Sequence, residues 1–251
     1  MKPAVRRRRA AALRPPGLLV TCEHASNRVP PALRALFSGQ RALLASHRGF
    51  DAGARAVARS FARRFDATLL EGAVSRLVID LNRSAQHPHL LGPTLRALPL
   101  AARRARRAEL LATLWEPYRA TAEVEVAALL ESHSCVLHLC VHSMTPTLGA
   151  VRRDMDVALL FDPERRLERE LARAWRAELE AATGLRVAFN RPYRGTSDGH
   201  TTALRRVFAA DAYAGVELEL NQALLRNRAF SARLVRDLQG TLALALPVLG
   251  T

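Results

Sequence analysis

Lysine is nearly missing from this 251-residue chain: Lys2 is the only one among 38 basic residues, and the rest are arginine. Acidic residues number 23, which leaves a formal charge of +15 and a sequence pI near 11.4. Such an excess suggests a partner of nucleic acid or another anionic surface. The arginines, however, are spread along the whole chain, and alanine and leucine are abundant too, so the lysine deficit reads as compositional bias as much as a binding device. Aromatic residues make up only 5%, too few for base-stacking platforms. A basic nucleic-acid-binding protein stays as the non-enzymatic rival, and it requires an affinity that falls steeply with salt.

Cysteine is scarce as well. Cys22, Cys135 and Cys140 are odd in number and form no disulfide framework, which fits a reducing compartment. Cys135 and Cys140 lie five apart with no second pair, so they make no zinc ribbon and read as buried thiols in strands. No apolar run approaches the ~20 residues of a membrane helix. Arg14, Pro15 and Pro16 interrupt the stretch after the basic run Arg6 to Arg9, so no signal-peptide core forms there. Residues 1–16 read as a basic tail, residues 17–251 as one domain, and the cytoplasm as its location. With 49% hydrophobic residues the chain can bury a sizeable core.

Residues 17–22 form a short apolar run of strand character. Residues 51–65 fit an amphipathic helix, with Ala54, Val57, Ala58, Phe61 and Phe65 inward and Arg55, Arg59 and Arg63 outward. Residues 67–70 and 77–81 read as strands, 84–99 as an irregular loop punctuated by proline and Gly92, and 100–130 as helical. Residues 134–141 are continuously apolar and β-rich, as in a strand buried on both faces. A strand at 157–161 precedes a helix at 163–183 that Gly184 stops. Then come a strand at 186–189, a polar loop at 190–200, a strand at 215–220 and a helix at 230–246. This alternation predicts a single α/β domain, a mostly parallel mixed sheet flanked by helices.

Open α/β sheets bind ligands at the carboxyl ends of their strands. Polar residues gather there: Glu23 and His24 after the first run, Asp80, Asn82 and Arg83 after the third, His142 after the long apolar run, Glu217 and Glu219 in the last strand. Two histidines and a carboxylate from separate strand ends suit a zinc ion with an open fourth position, and a further carboxylate suits a general base. Glu217 and Glu219 share one side-chain parity, so periodicity leaves both open.

Six segments occur in one order: Cys22-Glu23-His24-Ala25-Ser26-Asn27, His47-Arg48-Gly49-Phe50-Asp51-Ala52-Gly53-Ala54, Ser75-Arg76-Leu77-Val78-Ile79-Asp80-Leu81-Asn82-Arg83, Val141-His142-Ser143, Asn190-Arg191-Pro192-Tyr193-Arg194-Gly195 and Glu219-Leu220-Asn221. Together they resemble the N-formylglutamate amidohydrolase family, which is related in fold to zinc carboxypeptidases. The resemblance implies a zinc-exopeptidase-like fold and a zinc-dependent hydrolase converting N-formyl-L-glutamate and water to formate and glutamate. It implies one Zn2+ per chain, with His24 and His142 as ligands. Carboxypeptidases carry their acidic ligand three residues after the first histidine, where this chain has Asn27. Asp51 is the family-based choice for that ligand, and Glu23 is the other candidate. Glu219 matches the catalytic glutamate. Asn82 and Arg83 resemble the pair that grips a substrate carboxylate. A guanidinium makes a bidentate pair with such a group, and a substrate derived from glutamate has two, so Arg76 and Arg194 are candidates for the second. Tyr193 is expected to cover the site or assist the oxyanion. The role of His200 stays open; His47 is expected beside the site or on the surface, and His87, His89, His133 and His138 are expected to be structural. Asn221 and Ala223 depart from the family's basic and acidic residues, which leaves room for another N-acyl amino acid or small peptide as substrate.

Overall fold

A computed structural model describes residues 15–250; the expected tail falls almost wholly outside the described residues. The strands are β1 (Gly17–Cys22), β2 (Thr68–Glu71), β3 (Val136–Met144), the two-residue strands β4 (Thr147–Leu148) and β5 (Val151–Arg152), then β6 (Val157–Leu160), β7 (Val187–Phe189) and β8 (Tyr213–Asn221). Six of them make one sheet in the order β2-β1-β3-β8-β6-β7, while β4 and β5 pair as a separate hairpin. All neighbours in that sheet run parallel except β6 and β8. The chain is therefore a single α/β domain with a mostly parallel mixed sheet flanked by helices.

The two faces of the sheet differ in chemistry, and the period of two along each strand decides which residues go where. Leu18, Val20 and Cys22 of β1, Leu137, Leu139 and Val141 of β3, and Val216, Leu218 and Leu220 of β8 join one apolar core. Helices Ala54–Phe65, Arg166–Thr183 and Arg228–Ala245 cover that face. Trp175 is its largest fully buried side chain. The alternate positions face the other way: Thr21, then His138, Cys140 and His142, then Tyr213, Glu217 and Glu219. Register sets Cys140 beside Glu217 and His142 beside Glu219. Helices Glu116–Ser132 and His200–Arg205 pack against this second side.

Residues 77–81 are not a strand. They form a turn whose Leu77, Val78, Ile79 and Leu81 fill a separate apolar cluster with Leu33, Phe37, Leu90, Leu95 and Leu110. A short apolar run has no period of its own to separate strand from buried turn, and Ser75 captures the local backbone: its hydroxyl accepts from Leu77 N and its carbonyl from Val78 N. The helical stretch from residue 100 is two helices, Leu100–Leu110 and Glu116–Ser132, joined by a wider π-turn at Leu111–Trp115. Pro117 lacks the N–H that a regular helix would use here, and the bulge aims Trp115 Nε1 at the Arg83 carbonyl, 2.8 Å away. Gly184 does end its helix in the left-handed region, at φ +68°. No helix among the described residues is long and apolar enough to cross a membrane.

Candidate active site

The site forms where β1, β3 and β8 end. At Gly72 a Cβ would fall 1.9 Å from the Glu23 carbonyl oxygen, so glycine lets two backbones touch where β1 stops. Because the strand has ended at Cys22, Glu23 and His24 need not point to opposite faces, and both are buried. Asp51 lies just before helix Ala54–Phe65, and its N–H donates to the His24 carbonyl at 3.0 Å. Gly53, at φ +85°, turns the chain from Asp51 into that helix.

One oxygen, Asp51 Oδ2, lies 2.8 Å from His142 Nδ1 and 3.4 Å from His24 Nδ1. One ligand atom from each of the three residues lies within 4.8 Å of the other two. The far side of each imidazole faces an acid. His24 Nε2 is 2.7 Å from Asp80 Oδ1, while His142 Nε2 lies 3.0 Å from Cys140 Sγ and 3.6 Å from Glu23 Oε2. Two nitrogens and a carboxylate oxygen, backed by carboxylates that orient the rings, make a donor set that fits a divalent ion such as Zn2+.

Of the two candidate acids, Asp51 meets both imidazoles on the cavity side. Glu23 stands behind His142, where it accepts from the Cys140 thiol at 2.8 Å and pairs with His200 Nδ1 at 2.8 Å. Burial pushes the Asp51 and Asp80 carboxyls up, but His24 and His142 at the first, and Arg76 and His24 at the second, hold both well below the usual range. Burial opposes charge on His142, yet Cys140 and Asp51 raise it well above 6.5.

Glu219 is 7% exposed, and its Oε2 has no hydrogen-bond partner. Burial pushes its carboxyl up to about 7, reinforced by Asp51 and Glu217. Glu217 faces the same cavity but accepts the Thr201 hydroxyl at 2.8 Å. The two acids that share one parity thus have different surroundings.

Asn82, Arg83, Arg76, Tyr193 and Arg194 all line the cavity with His24, Asp51, His142 and Glu219, and His47 joins them. Asn82 is occupied, accepting from His200 N at 2.7 Å while its Nδ2 approaches His142 Nε2 at 3.4 Å. Arg76 spends its charge on Asp80 at 2.9 Å and Asp51 at 3.7 Å. Arg83 donates to the Asp198 backbone carbonyl at 3.0 Å. Tyr193 and Arg194 are exposed at the mouth. Asn221 lies away from the cavity: it donates to the Met155 carbonyl and caps the helix Gln222–Leu225.

His138 bridges Thr21 and Tyr213 at 2.7 Å on each side, and burial pushes it down to about 3. His87, His89 and His133 stand outside the cavity. All three cysteines are buried and free. Sequence reasoning missed Arg153, which lines the cavity from beside the β4–β5 hairpin; one arginine among so many carries no signal of its own. It also missed Asp80 and Glu23 as the acids behind the imidazoles.

The sequence profile of the family described as N-formylglutamate amidohydrolase matches residues 17–226. The chain belongs to this family. It is a hydrolase of the N-formylglutamate amidohydrolase family. A gene product of Agrobacterium tumefaciens, known by crystal structure, is 28% identical, with 93% of this chain and 92% of that one covered and a TM-score of 0.79. An N-formylglutamate amidohydrolase from Ralstonia eutropha is 21% identical over 94% of this chain and 96% of that one, with a TM-score of 0.69, a likeness of fold. No curated protein matches the chain.

Proposed function

We propose that this hydrolase cleaves the N-acyl amide bond of N-formyl-L-glutamate, releasing formate and glutamate, with a Zn2+ at His24, Asp51 and His142. The observation that carries the reading is the meeting of three donor atoms beside Glu219 in one cavity, in a chain of this family. When bound there, Zn2+ would polarise the scissile carbonyl and bring the acidity of a water towards neutrality. Glu219 takes the proton of the attacking water and delivers it to the departing amine. In the metal-free protein burial pushes this carboxyl up to about 7, and a buried carboxylate with an uncommitted oxygen is suited to take a proton and return it, as a general acid–base must. Its partnerless Oε2 and the engagement of Glu217 by Thr201 support Glu219 over Glu217.

Asp80 and Glu23 fix the imidazoles from behind. Arg83 holds the α-carboxylate, with Tyr193 and Arg194 at the entrance, while Arg76 steadies Asp80 and Asp51. The partner on this reading is a small anionic N-acyl amino acid. The three buried free thiols support the cytoplasm as the compartment.

The test is hydrolysis of N-formyl-L-glutamate by the purified protein, before and after chelation. Formate and glutamate should appear in equal amounts, stop with chelator and return with one equivalent of Zn2+. Release from N-acetyl or N-succinyl amino acids without release from the formyl compound would overturn the substrate assignment.

A further inference from the structure

Arg153 is 7% exposed, yet no carboxylate of the described residues lies within 4.0 Å of it. A buried guanidinium without a counter-ion is costly. Arg205, whose side chain is as deeply buried, meets Glu168, and even the part-exposed Arg76 meets Asp80. Arg119 lacks one too, but the carbonyls of Leu81 and Arg83 receive it away from the cavity. Arg153 instead faces the cavity that holds Glu219 and the two imidazoles.

Its position is built. Its backbone N–H donates to the Pro146 carbonyl at 2.9 Å, fixing the base of the hairpin that follows β3 and hence His142. Its side chain donates to the Thr145 carbonyl at 3.2 Å and the Tyr193 hydroxyl at 2.8 Å, with the Tyr193 ring 5.4 Å away. Two such bonds hold the guanidinium in place while leaving others of its five N–H donors for an incoming anion. Of the other arginines lining the cavity, Arg76 serves Asp80 and Asp51, Arg83 donates to the Asp198 carbonyl, and Arg194 is exposed at the rim.

We propose that Arg153 binds the side-chain carboxylate of the substrate and so selects acidic over neutral N-acyl amino acids. This inference rests on the hydrolase reading above and adds the residue that sets its specificity. Arg83 holds the carboxylate next to the scissile amide, and Arg153 holds the one at the far end. Tyr193, through its hydroxyl, orients the fork of Arg153.

The test compares kcat/KM for N-formyl-L-glutamate with that for N-formyl-L-glutamine, which has the same shape without the charge, in the wild type, Arg153→Met and Arg153→Lys. The wild type should prefer the glutamate compound. In Arg153→Met that preference should fall by about 10- to 100-fold, as expected when a charge-assisted hydrogen bond is removed from a dry site. In Arg153→Lys, which keeps the charge but not the fork, it should fall by less. Parallel loss on both substrates, with the ratio preserved, overturns the proposal and leaves Arg153 as support for the hairpin. Should Arg153→Met not fold, Arg153→Lys decides: a ratio equal to the wild type's overturns the proposal, and a reduced one supports it. A wild type that releases formate from neither compound overturns the functional reading itself, an outcome distinct from a preserved ratio.

Discussion

Glu219→Gln separates what the site does from what the fold prefers. The substitution keeps shape and removes the proton acceptor, so kcat should fall by about 10²- to 10⁴-fold while zinc content and KM change little. The same change should stabilise the metal-free protein. Burial raises the Glu219 carboxyl from 4.5 to about 7, so the folded state holds a proton that the unfolded chain releases earlier. Stability from that proton is complete below pH 4.5 and is lost as pH rises through 7. At about 1.4 kcal/mol per tenfold change in proton affinity, the cost at pH 8 is on the order of 3 kcal/mol. Glutamine carries no such cost. Urea unfolding in chelator should therefore show the variant more stable than the wild type at pH 8 by that amount, with the gap closing towards pH 5. A variant that keeps full activity, or one no more stable at pH 8, would refute the assignment of Glu219 as a strained, buried base.

Three further outcomes follow from the same geometry. Asp80→Asn removes the acid 2.7 Å behind His24 Nε2 and should weaken zinc binding by about 10- to 100-fold; chelator competition measures this, and wild-type affinity would exclude Asp80 from holding the ring. In the metal-free protein Asp80 and Asp51 at His24, and Cys140 and Asp51 at His142, outweigh burial and raise both above 6.5. Protons therefore compete with the metal from above that pH, and affinity should fall steadily on acidification with protons released on binding; calorimetry in two buffers would show a pH-independent affinity if this is mistaken. Trp175→Ala empties the apolar face, where the indole packs on Phe61 and donates to Thr241 at 3.1 Å. It should cost about 3–5 kcal/mol in urea unfolding yet leave kcat of the folded fraction intact, because the chemistry lies on the opposite face of the sheet.

The core strands were legible because β1 and most of β3 are nearly unbroken apolar runs and β8 alternates apolar and polar residues, so the change from Val141 to His142-Ser143 marks where the site begins near the end of β3. The motif order likewise brought His24, Asp51, His142 and Glu219 to attention. Two kinds of information were hidden. Local pattern could not tell the buried turn at 77–81 from a strand, since its apolar side chains face a second cluster and not the sheet. Contacts between distant segments were invisible too. Glu217 and Glu219 differ in part because Thr201, on another element, engages the first. Asp80 stands behind His24, and Glu23 behind His142, through loop closures that no spacing encodes. Arg153 matters because Tyr193 and Thr145 hold it toward the cavity, whereas most of the chain's arginines lie elsewhere.

Anomalous diffraction at the zinc edge from crystals of the zinc-loaded protein tests the central claim most directly. One peak per chain is expected, about 2.0–2.2 Å from His24 Nδ1, His142 Nδ1 and an oxygen of Asp51. A peak among Glu23, Cys140 and His142 or among Glu23, His138 and His200, the two other groups among the described residues that could hold an ion, or no peak at all, would contradict it.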